Sequence, residues 1–412
     1  MTSVLDRFLR YVTYDTQSDE TSDTYPSTAR QLVLLRHLAD ELKTLGLADA
    51  AVDQYGYVTA TIPATSSKPT TPVIGFIAHV DTSPEMSGAS VKPIVHRGYD
   101  GRDLVLPDDP SVVLRLADCS ALADQIGHDI VTASGTTLLG ADNKAGVAEI
   151  VSAAAHLIAH PEIPHGRIRI AFTPDEEIGR GTKFFDVERF GARYAYTMDG
   201  GSRGEVETES FSADAVTVTF YGFNTHPGYA KGRMINAIRV AAGFIHLLPR
   251  DTLSPETTDG RDGFVHPYIV NAGVDRTSVK LIVRDFKTAG LKDKEELIER
   301  LARQAVSDFP GARVELAIEE QYRNMREVLD CHPEVVEHAR EAVRRAGLAV
   351  HERPIRGGTD GSRLSFMGLP TPNIFAGEQN FHSRLEWVSV QDMEKAVDVI
   401  VELAKVWEEQ TP

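Results

Sequence analysis

The chain has 412 residues, of which 42% are hydrophobic and 25% charged, and its formal net charge is −17. This length predicts two domains, and the composition is that of a soluble globular protein. A chain this acidic does not suit nucleic acid or a membrane surface as a partner. No apolar run is long enough for a transmembrane helix. The only cysteines, Cys119 and Cys331, exclude a disulfide framework and a thiolate metal site, so we expect a cytoplasmic location.

The first part of the chain alternates between predicted helices and strands. In chain order these are helices over 3–14 and 28–45, a strand pair over 51–62, a strand over 72–78, a helix over 144–159, and strands over 166–173 and 193–198. The first helix is amphipathic and turns acidic early, which is not typical of a signal peptide. The second ends at Gly46, a common residue after a helix. From residue 80 to about 137 the pattern is broken and rich in Pro and Asp.

The character of the sequence changes near residue 212. The predicted elements are then a strand, a helix, two strands, a helix and a strand, over 214–221, 233–248, 265–274, 277–286, 292–308 and 312–320. This order is the split βαβ pattern of a small independent domain. The helix 333–346 and the segment 350–412 resemble the first part again. We therefore predict an α/β fold in which residues 1–211 and 323–412 share a mainly parallel sheet and residues 212–322 form an inserted ferredoxin-like β-α-β-β-α-β domain.

Acidic residues and a histidine follow three of the predicted strands. His79 and Asp81 follow the first of them, Glu176 and Glu177 the second, and Asp199 the third. In open α/β sheets, ligands bind beyond the carboxyl ends of the strands. These side chains can therefore converge although they are far apart in the sequence.

Asp142, in a loop before a predicted helix, and His382, in a loop near the end of the chain, extend this set. Zinc takes histidine nitrogen and carboxylate oxygen as ligands, and two metal ions about 3.5–4 Å apart can clamp both oxygens of a displacement. Glu176 and the three candidate carboxylate ligands Asp142, Glu177 and Asp199 would carry four negative charges, which two Zn²⁺ balance. Without a cation, four acids in one cleft would raise one another's pKa.

Each of these signals also has an ordinary interpretation. A His-x-Asp pair arises by chance, Asp-Glu-Glu is usually a solvated turn, and a lone histidine is more often a core or surface residue. The hypothesis of a metal site therefore depends on the conjunction of several such signals in one domain.

Seven stretches carry a family resemblance: 76–81 (FIAHVD), 139–146 (LGADNKAG), 172–179 (FTPDEEIG), 196–200 (YTMDG), 224–228 (NTHPG), 356–363 (RGGTDGSR) and 380–382 (NFH). Together they resemble the dinuclear zinc peptidase family that includes carboxypeptidase G and acetylornithine deacetylase, and within it the peptidase T subgroup of tripeptide aminopeptidases. The segment 376–380 departs from the subgroup, because it has Ala376 and Glu378 where small and aromatic residues are usual. Ser383 also stands where glycine is usual.

The resemblance implies a zinc-peptidase catalytic domain with a lid, two Zn²⁺ per chain with Co²⁺ or Mn²⁺ as substitutes, and a possible homodimer. It implies a metallo-aminopeptidase that releases the N-terminal residue of tripeptides by zinc-activated water attack. Asp142 would bridge both metals, with His79 and Asp199 completing one zinc site and Glu177 and His382 the other.

The resemblance also implies roles for two catalytic carboxylates. Asp81 would orient His79, and Glu176 would be the general base that deprotonates the attacking water and then protonates the leaving amine. A cis peptide is implied between Asp142 and Asn143.

Three residues are candidates for substrate binding. The resemblance implies that His226 stabilises the developing oxyanion, although a histidine in a Pro-Gly turn is usually only a turn residue. Arg284 and Arg356 are candidates to bind the C-terminal carboxylate of the peptide through a bidentate guanidinium, which would measure peptide length. For Arg284 the alternative is an ordinary ion pair with Asp285 or another neighbouring residue.

Two other functions stay open. One is a related carboxypeptidase or N-acyl amino acid deacylase of the same family. The other is a non-catalytic binding protein, which nothing in the sequence favours because all five candidate ligands and Glu176 are present.

Overall fold

The computed structural model describes residues 2–411, and the chain divides into two compact units. The first unit comprises Met1–Thr208, Met325–Arg353 and Thr359–Pro412. The second comprises Glu209–Asn324 and the short segment Pro354–Gly358. In the prediction from the sequence, this short segment belongs to the first domain.

Ten α-helices are present in the described part of the chain. They are α1 (Val4–Tyr11), α2 (Gln31–Thr44), α3 (Ala141–Ala159), α4 (Val187–Phe190), α5 (Ala237–Leu247), α6 (Thr288–Ser307), α7 (Arg326–Leu329), α8 (Pro333–Arg345), α9 (Asp360–Phe366) and α10 (Val390–Glu409). None of the helices that the structure describes is both long and apolar enough to span a bilayer.

Seventeen strands accompany these helices in residues 2–411. They are β1 (Ala51–Val52), β2 (Val58–Ile62), β3 (Ile74–His79), β4 (Ile94–His96), β5 (Leu104–Val105), β6 (Val113–Leu114), β7 (Ile130–Thr132), β8 (Ile168–Thr173), β9 (Tyr194–Gly200), β10 (Val206–Glu207), β11 (Ser212–Tyr221), β12 (Phe264–Ala272), β13 (Arg276–Asp285), β14 (Arg313–Tyr322), β15 (Asn373–Phe375), β16 (Glu378–Gln379) and β17 (Trp387–Ser389).

A seven-stranded sheet forms the centre of the first unit, in the order β1-β2-β8-β3-β9-β15-β10. The four strands β8, β3, β9 and β15 run parallel, and the outer strands β1, β2 and β10 are antiparallel to their neighbours. All residues of β3 are buried, as in a strand covered on both faces. The α/β class and the mainly parallel central sheet are thus confirmed.

Helix α3 lies unusually close to this sheet. It contacts β3 and β9, and α10 packs against it. A Cβ atom added at Gly146 of α3 would lie 2.0 Å from the carbonyl oxygen of Met198 in β9. Only glycine therefore allows this approach, which brings the N-terminal end of α3 beside the end of β9.

A smaller antiparallel sheet, in the order β16-β17-β7-β4, lies in the same unit. It joins the broken segment after residue 80 to the C-terminal part of the chain, because Trp387 pairs with Thr132. The Trp387 side chain is buried with Ile130 and Leu122 in an apolar cluster. This pairing holds the loop between β16 and β17 in place.

The second unit has a four-stranded antiparallel sheet in the order β12-β13-β11-β14, against which α5 and α6 pack. The apolar core lies between sheet and helices and includes Val218, Phe220, Phe244, Val279 and Ile298. The order of elements is the predicted β-α-β-β-α-β.

Several predicted element ends are wrong by a few residues. The helix predicted over 233–248 begins at Ala237, because the Asn236 side chain accepts the N–H of Ile238 and caps it there. The helix predicted over 28–45 begins at Gln31. The helix predicted over 292–308 begins earlier, at Thr288.

Candidate metal centre

Acidic and histidine side chains lie at the carboxyl ends of the parallel strands. His79 is the last residue of β3, Asp199 is the penultimate residue of β9, and Glu176 and Glu177 follow β8 after a short turn. The carboxyl ends of parallel strands meet at one edge of a sheet, where ligands bind. The sheet therefore positions these side chains near one another.

The turn that carries Glu176 and Glu177 is fixed by the residue before them. Asp175 has a left-handed φ of 59°, which is uncommon for a residue with a side chain. Its buried carboxylate accepts the N–H of Ser27 at 2.6 Å and the Nε2–H of Gln31 at 2.6 Å. These bonds hold the turn against the N-terminal part of the chain.

Asp142 lies where α3 begins, in a stretch with non-helical backbone at Asp142 and Asn143. The bond between these two residues is cis, as expected. Three N–H groups, from Leu139, Gly140 and Asp142, donate to the carboxylate of Glu386 at 2.7, 2.8 and 3.0 Å. Glu386 therefore fixes the backbone that presents Asp142.

The two oxygens of Asp142 face two different histidines. Its Oδ1 lies 2.9 Å from Nε2 of His79, and its Oδ2 lies 3.3 Å from Nε2 of His382. His79 Nε2 is also 3.3 Å from Asp199 Oδ1, and His382 Nε2 is 2.8 Å from Glu177 Oε2. The structure thus brings all five predicted ligands together, while their role as ligands stays a prediction.

Asp81 lies directly behind this cluster and is fully buried. Its Oδ1 accepts the N–H of Glu176 at 2.9 Å and lies 3.3 Å from Nδ1 of His79. Its Oδ2 accepts the N–H of Glu177 at 3.2 Å. One carboxylate therefore contacts a predicted ligand and the backbone of the predicted general base.

Electrostatics make the cluster a site for positive charge. Burial raises the pKa of Glu177 to about 8, and the Asp142 carboxylate adds to the rise. Burial also raises the pKa of Glu176 well above its ordinary value. Although burial lowers the pKa of His382, its hydrogen bonds with Asp142 and Glu177 raise this pKa to about 11. Buried carboxylates and imidazoles that stabilise positive charge in this way are the donors that a divalent cation needs.

Two groups of side chains could each hold a metal ion. One is His79, Asp142 and Glu177, and the other is Asp142, Asp199 and Glu378, with the ligand atoms of each group within 4.8 Å of one another. Oε1 of Glu177 and Oε2 of Glu378 are buried and accept no hydrogen bond from the residues described. These orphaned oxygens and the mixture of nitrogen and oxygen donors fit divalent cations.

Sequence reasoning missed Glu378 and Glu386 as parts of this centre. In the sequence, Glu378 stands out only as a departure from the family pattern. It follows the parallel strand β15 as Glu176 follows β8, so the same strand-end argument could have identified it once β15 was recognised. Glu386 accepts three backbone N–H groups that are distant in sequence, and no local pattern signals such a role.

His226 lies in the second unit, between β11 and α5. It is exposed and precedes the 3₁₀ turn Pro227–Tyr229. Its Nδ1 accepts the N–H of Gly228 at 3.1 Å, so the proton of a neutral ring is on Nε2. The histidine is therefore both a turn residue and an available N–H donor.

The two candidate arginines also lie in the second unit. Arg284 donates from Nη1 to the carbonyl oxygen of Arg356 at 3.0 Å, and its Nε is buried with no acceptor among residues 2–411. Asp285, the alternative partner of Arg284, instead forms its ion pair with Lys294. Arg356 donates from Nη1 to the carbonyl oxygen of Gly260 at 2.8 Å. It also bonds the carbonyl oxygens of residues 258 and 262, so its guanidinium already holds a loop of its own unit.

Residues 140–406 match the model of Peptidase family M20/M25/M40. The chain is 49% identical over 407 residues to Peptidase T of Bacillus subtilis (strain 168), covering 99% of both chains. It is similar in structure to a tripeptidase of Staphylococcus aureus, with a TM-score of 0.77, 21% identity and coverage of 99% of this chain and 98% of the other. It is also similar to the Bacillus subtilis YXEP protein, a dinuclear metal binding peptidase from the M20 family, with a TM-score of 0.66, 16% identity and coverage of 99% and 98%. At these identities the two structures establish a shared fold.

Proposed function

Since the chain belongs to peptidase family M20/M25/M40, it is a hydrolase of peptide bonds, and we propose that it is a tripeptide aminopeptidase that requires two Zn²⁺ ions. One observation carries this proposal. The two oxygens of Asp142 face His79 and His382, at 2.9 and 3.3 Å from their Nε2 atoms. A carboxylate between two separate nitrogen donors suits a pair of neighbouring cations.

The proposed ligand set is the one expected from the sequence. Asp142 would be shared by both ions, His79 and Asp199 would hold one, and Glu177 and His382 would hold the other. Co²⁺ or Mn²⁺ could substitute, because all of these ions accept imidazole and carboxylate ligands. When bound, the ions would supply Lewis-acid polarisation of the scissile carbonyl and lower the pKa of a water molecule.

Glu176 is proposed as the general base and acid. It precedes the proposed ligand Glu177 in the chain, and its backbone N–H donates to Asp81 at 2.9 Å. Burial raises the pKa of Glu176 well above its ordinary value, and a carboxyl with a raised pKa is a better proton acceptor than an ordinary one. It would accept a proton from the attacking water and then donate one to the leaving amine.

Asp81 is proposed to set the protonation of His79. Nδ1 of His79 lies 3.3 Å from the carboxylate Oδ1 of Asp81 and 3.1 Å from the backbone carbonyl oxygen of Asp81. Because both oxygens are acceptors, the proton of a neutral His79 ring is favoured on Nδ1. The lone pair of Nε2 is then directed at Asp142 and Asp199, where the cation would bind.

Residues of the second unit are proposed to contact the substrate. Nε2–H of His226 would donate to the oxyanion that develops on the scissile carbonyl. Arg284, whose Nε lacks an acceptor within the described chain, would bind the C-terminal carboxylate of the peptide. Arg356 is proposed in the same role, although its guanidinium already bonds the loop at 258–262.

The decisive experiment is hydrolysis of matched peptides by the purified, zinc-loaded protein. We expect cleavage of a free tripeptide with release of its N-terminal residue, and slower cleavage of the dipeptide and tetrapeptide that share that residue. Equal hydrolysis of the N-acetylated tripeptide would contradict the aminopeptidase proposal. Release of the C-terminal residue would favour the related carboxypeptidase, and cleavage of an N-acyl amino acid would favour the deacylase. Exhaustive chelation should abolish activity, and added Zn²⁺ should restore it.

We further propose a cytoplasmic location and short peptides, not nucleic acid or membranes, as partners. The location is supported by the cysteines, since Cys119 is free and buried and Cys331 is free and exposed. A homodimer is proposed from the family resemblance, and light scattering of the purified protein would measure it.

A further inference from the structure

Glu378 is a buried acid whose position is fixed by the backbone around it. It opens β16, which pairs with β17 so that Glu378 is opposite Val388, and only 2% of its surface is exposed. The preceding Gly377 has a φ of 81°, a left-handed conformation that favours glycine. The side chain therefore points into the protein from a well-defined strand.

The Glu378 carboxylate has no hydrogen-bond donor for one of its oxygens. Oε2 is buried, and no partner for it exists in the part of the chain that is described. A buried carboxylate oxygen without a donor is costly, so the position favours a positive group in contact with this oxygen, which residues 2–411 do not supply through a hydrogen bond.

The neighbours of Glu378 are the proposed metal ligands. Its carboxylate forms a group with Asp142 and Asp199 in which one oxygen of each lies within 4.8 Å of the others. The charged groups that act on it most strongly are the carboxylates of Asp142 and Asp199 and the imidazole of His79. Three carboxylates that converge in a buried space are the arrangement of a cation site.

We propose that Glu378 is a direct ligand of the divalent cation that Asp142 and Asp199 would share, in addition to the five ligands of the proposed function, on which this inference rests. That cation would be held by one imidazole, from His79, and three carboxylates. The other cation would keep His382, Glu177 and Asp142. The two sites therefore differ in chemistry, since the first is richer in oxygen.

This difference has a consequence for metal preference. Carboxylate ligands suit Mn²⁺, whereas imidazole ligands suit Zn²⁺. We therefore expect the site with Glu378 to accept Mn²⁺ more readily than the other site does. The protein should form a mixed state when both metals are supplied, with Mn²⁺ at one site and Zn²⁺ at the other.

The test compares metal binding by the wild type, Glu378→Gln and Glu378→Ala. Each protein is stripped of metal, and the binding of Mn²⁺ and of Zn²⁺ is measured by competition with a chelator of known affinity, together with the metal content after dialysis. Glu149→Gln is the matched control, because Glu149 is also a buried glutamate with oxygens that have no partner among the residues described, but it belongs to neither metal-holding group.

The expected result is two metal ions per chain in the wild type and in Glu149→Gln. In both Glu378 variants one site should weaken by about 10–100-fold or more, the range seen when groups around a metal site are removed, with Mn²⁺ affected more than Zn²⁺. Unchanged affinity at both sites in Glu378→Gln would overturn the inference and leave the proposed function intact. A wild type that binds no metal would overturn the proposed function itself.

Discussion

Asp81 accepts the backbone N–H of Glu176 through Oδ1, at a distance of 2.9 Å. The same oxygen lies 3.3 Å from Nδ1 of His79. A single buried carboxylate therefore sets both the position of the proposed base and the orientation of a proposed ligand.

Replacement of this carboxylate by an amide should impair both functions. In Asp81→Asn, an amide NH₂ replaces one carboxylate oxygen. Because this NH₂ cannot accept a hydrogen bond from a backbone N–H, at least one of the present bonds would be lost. We expect kcat and metal affinity each to fall by about 10–100-fold, measured by steady-state kinetics and by chelator competition. Asp118→Asn, at an exposed carboxylate that pairs with Arg115, is the control. Wild-type kinetics in Asp81→Asn would refute the positioning role.

Glu176→Gln should separate catalysis from metal binding. The variant keeps the shape of the side chain but cannot exchange a proton, so kcat should fall by about 10²–10⁴-fold. Its metal content should equal that of the wild type, because Glu176 is proposed as the base and not as a ligand. Glu188→Gln, on an exposed residue of α4, should behave as the wild type. Loss of both activity and metal would mean that Glu176 is a ligand and not the base.

Arg284 should determine the preference for a free C-terminal carboxylate. A charge-assisted hydrogen bond contributes about 1.5–3 kcal/mol, so Arg284→Ala should lower kcat/KM for tripeptides by about 10–100-fold. For the same tripeptide with a C-terminal amide, the variant and the wild type should differ little. Arg276→Ala, an exposed change at the start of the same strand β13, controls for effects on the sheet. Equal losses with the acid and the amide would contradict a carboxylate contact.

Glu149 should make the stability of the protein depend on pH. Burial, with the Asp392 carboxylate adding to it, raises the pKa of Glu149 well above its ordinary value. Protonated Glu149 contributes its full stability below about pH 4.3, the pKa of a glutamate in the unfolded chain. This contribution is lost as the pH rises toward the pKa of Glu149 in the folded protein, by up to about 1.4 kcal/mol per pH unit. Glu149→Gln, which does not titrate, should therefore gain stability relative to the wild type as the pH rises from 5 to 8.

This prediction is checked by denaturant unfolding of both proteins at several pH values in the presence of a chelator. The informative quantity is the difference in the free energy of unfolding between variant and wild type, since other groups titrate equally in both. Glu188→Gln should show a constant difference near zero. A constant difference for Glu149→Gln would mean that the buried carboxyl does not change its pKa on folding.

The parts of the fold that have a regular period could be predicted from the sequence. The apolar run of β3 and the alternation of β11 and β13 are long enough to show their type. The acids and the histidine that follow β3, β8 and β9 could be placed at one edge because parallel strands impose that geometry.

The remaining features depend on contacts between distant segments. Strands β4, β7 and β17 have only three residues each, which is too short to show a period. They exist because they pair with one another across most of the sequence. Glu386 takes its role from where this pairing places it, and no local pattern in the sequence signals that role. Glu378 could be placed from the sequence only after the three-residue strand β15 was recognised. The helix start at Ala237 was missed because a side-chain cap, not hydrophobicity, sets it.

The residues of the proposed metal centre come from two parts of the sequence that the second unit separates. His79, Asp142, Glu177 and Asp199 precede the second unit in the sequence, whereas Glu378 and His382 follow it. A ribosome must therefore synthesise the whole inserted unit before the donor set is complete. A nascent chain that has been synthesised only as far as β14 cannot bind both metal ions with the full set of ligands, because it lacks one of the two histidine donors. The order of translation thus delays full metallation, and with it peptidase activity, until residue 382 has been synthesised.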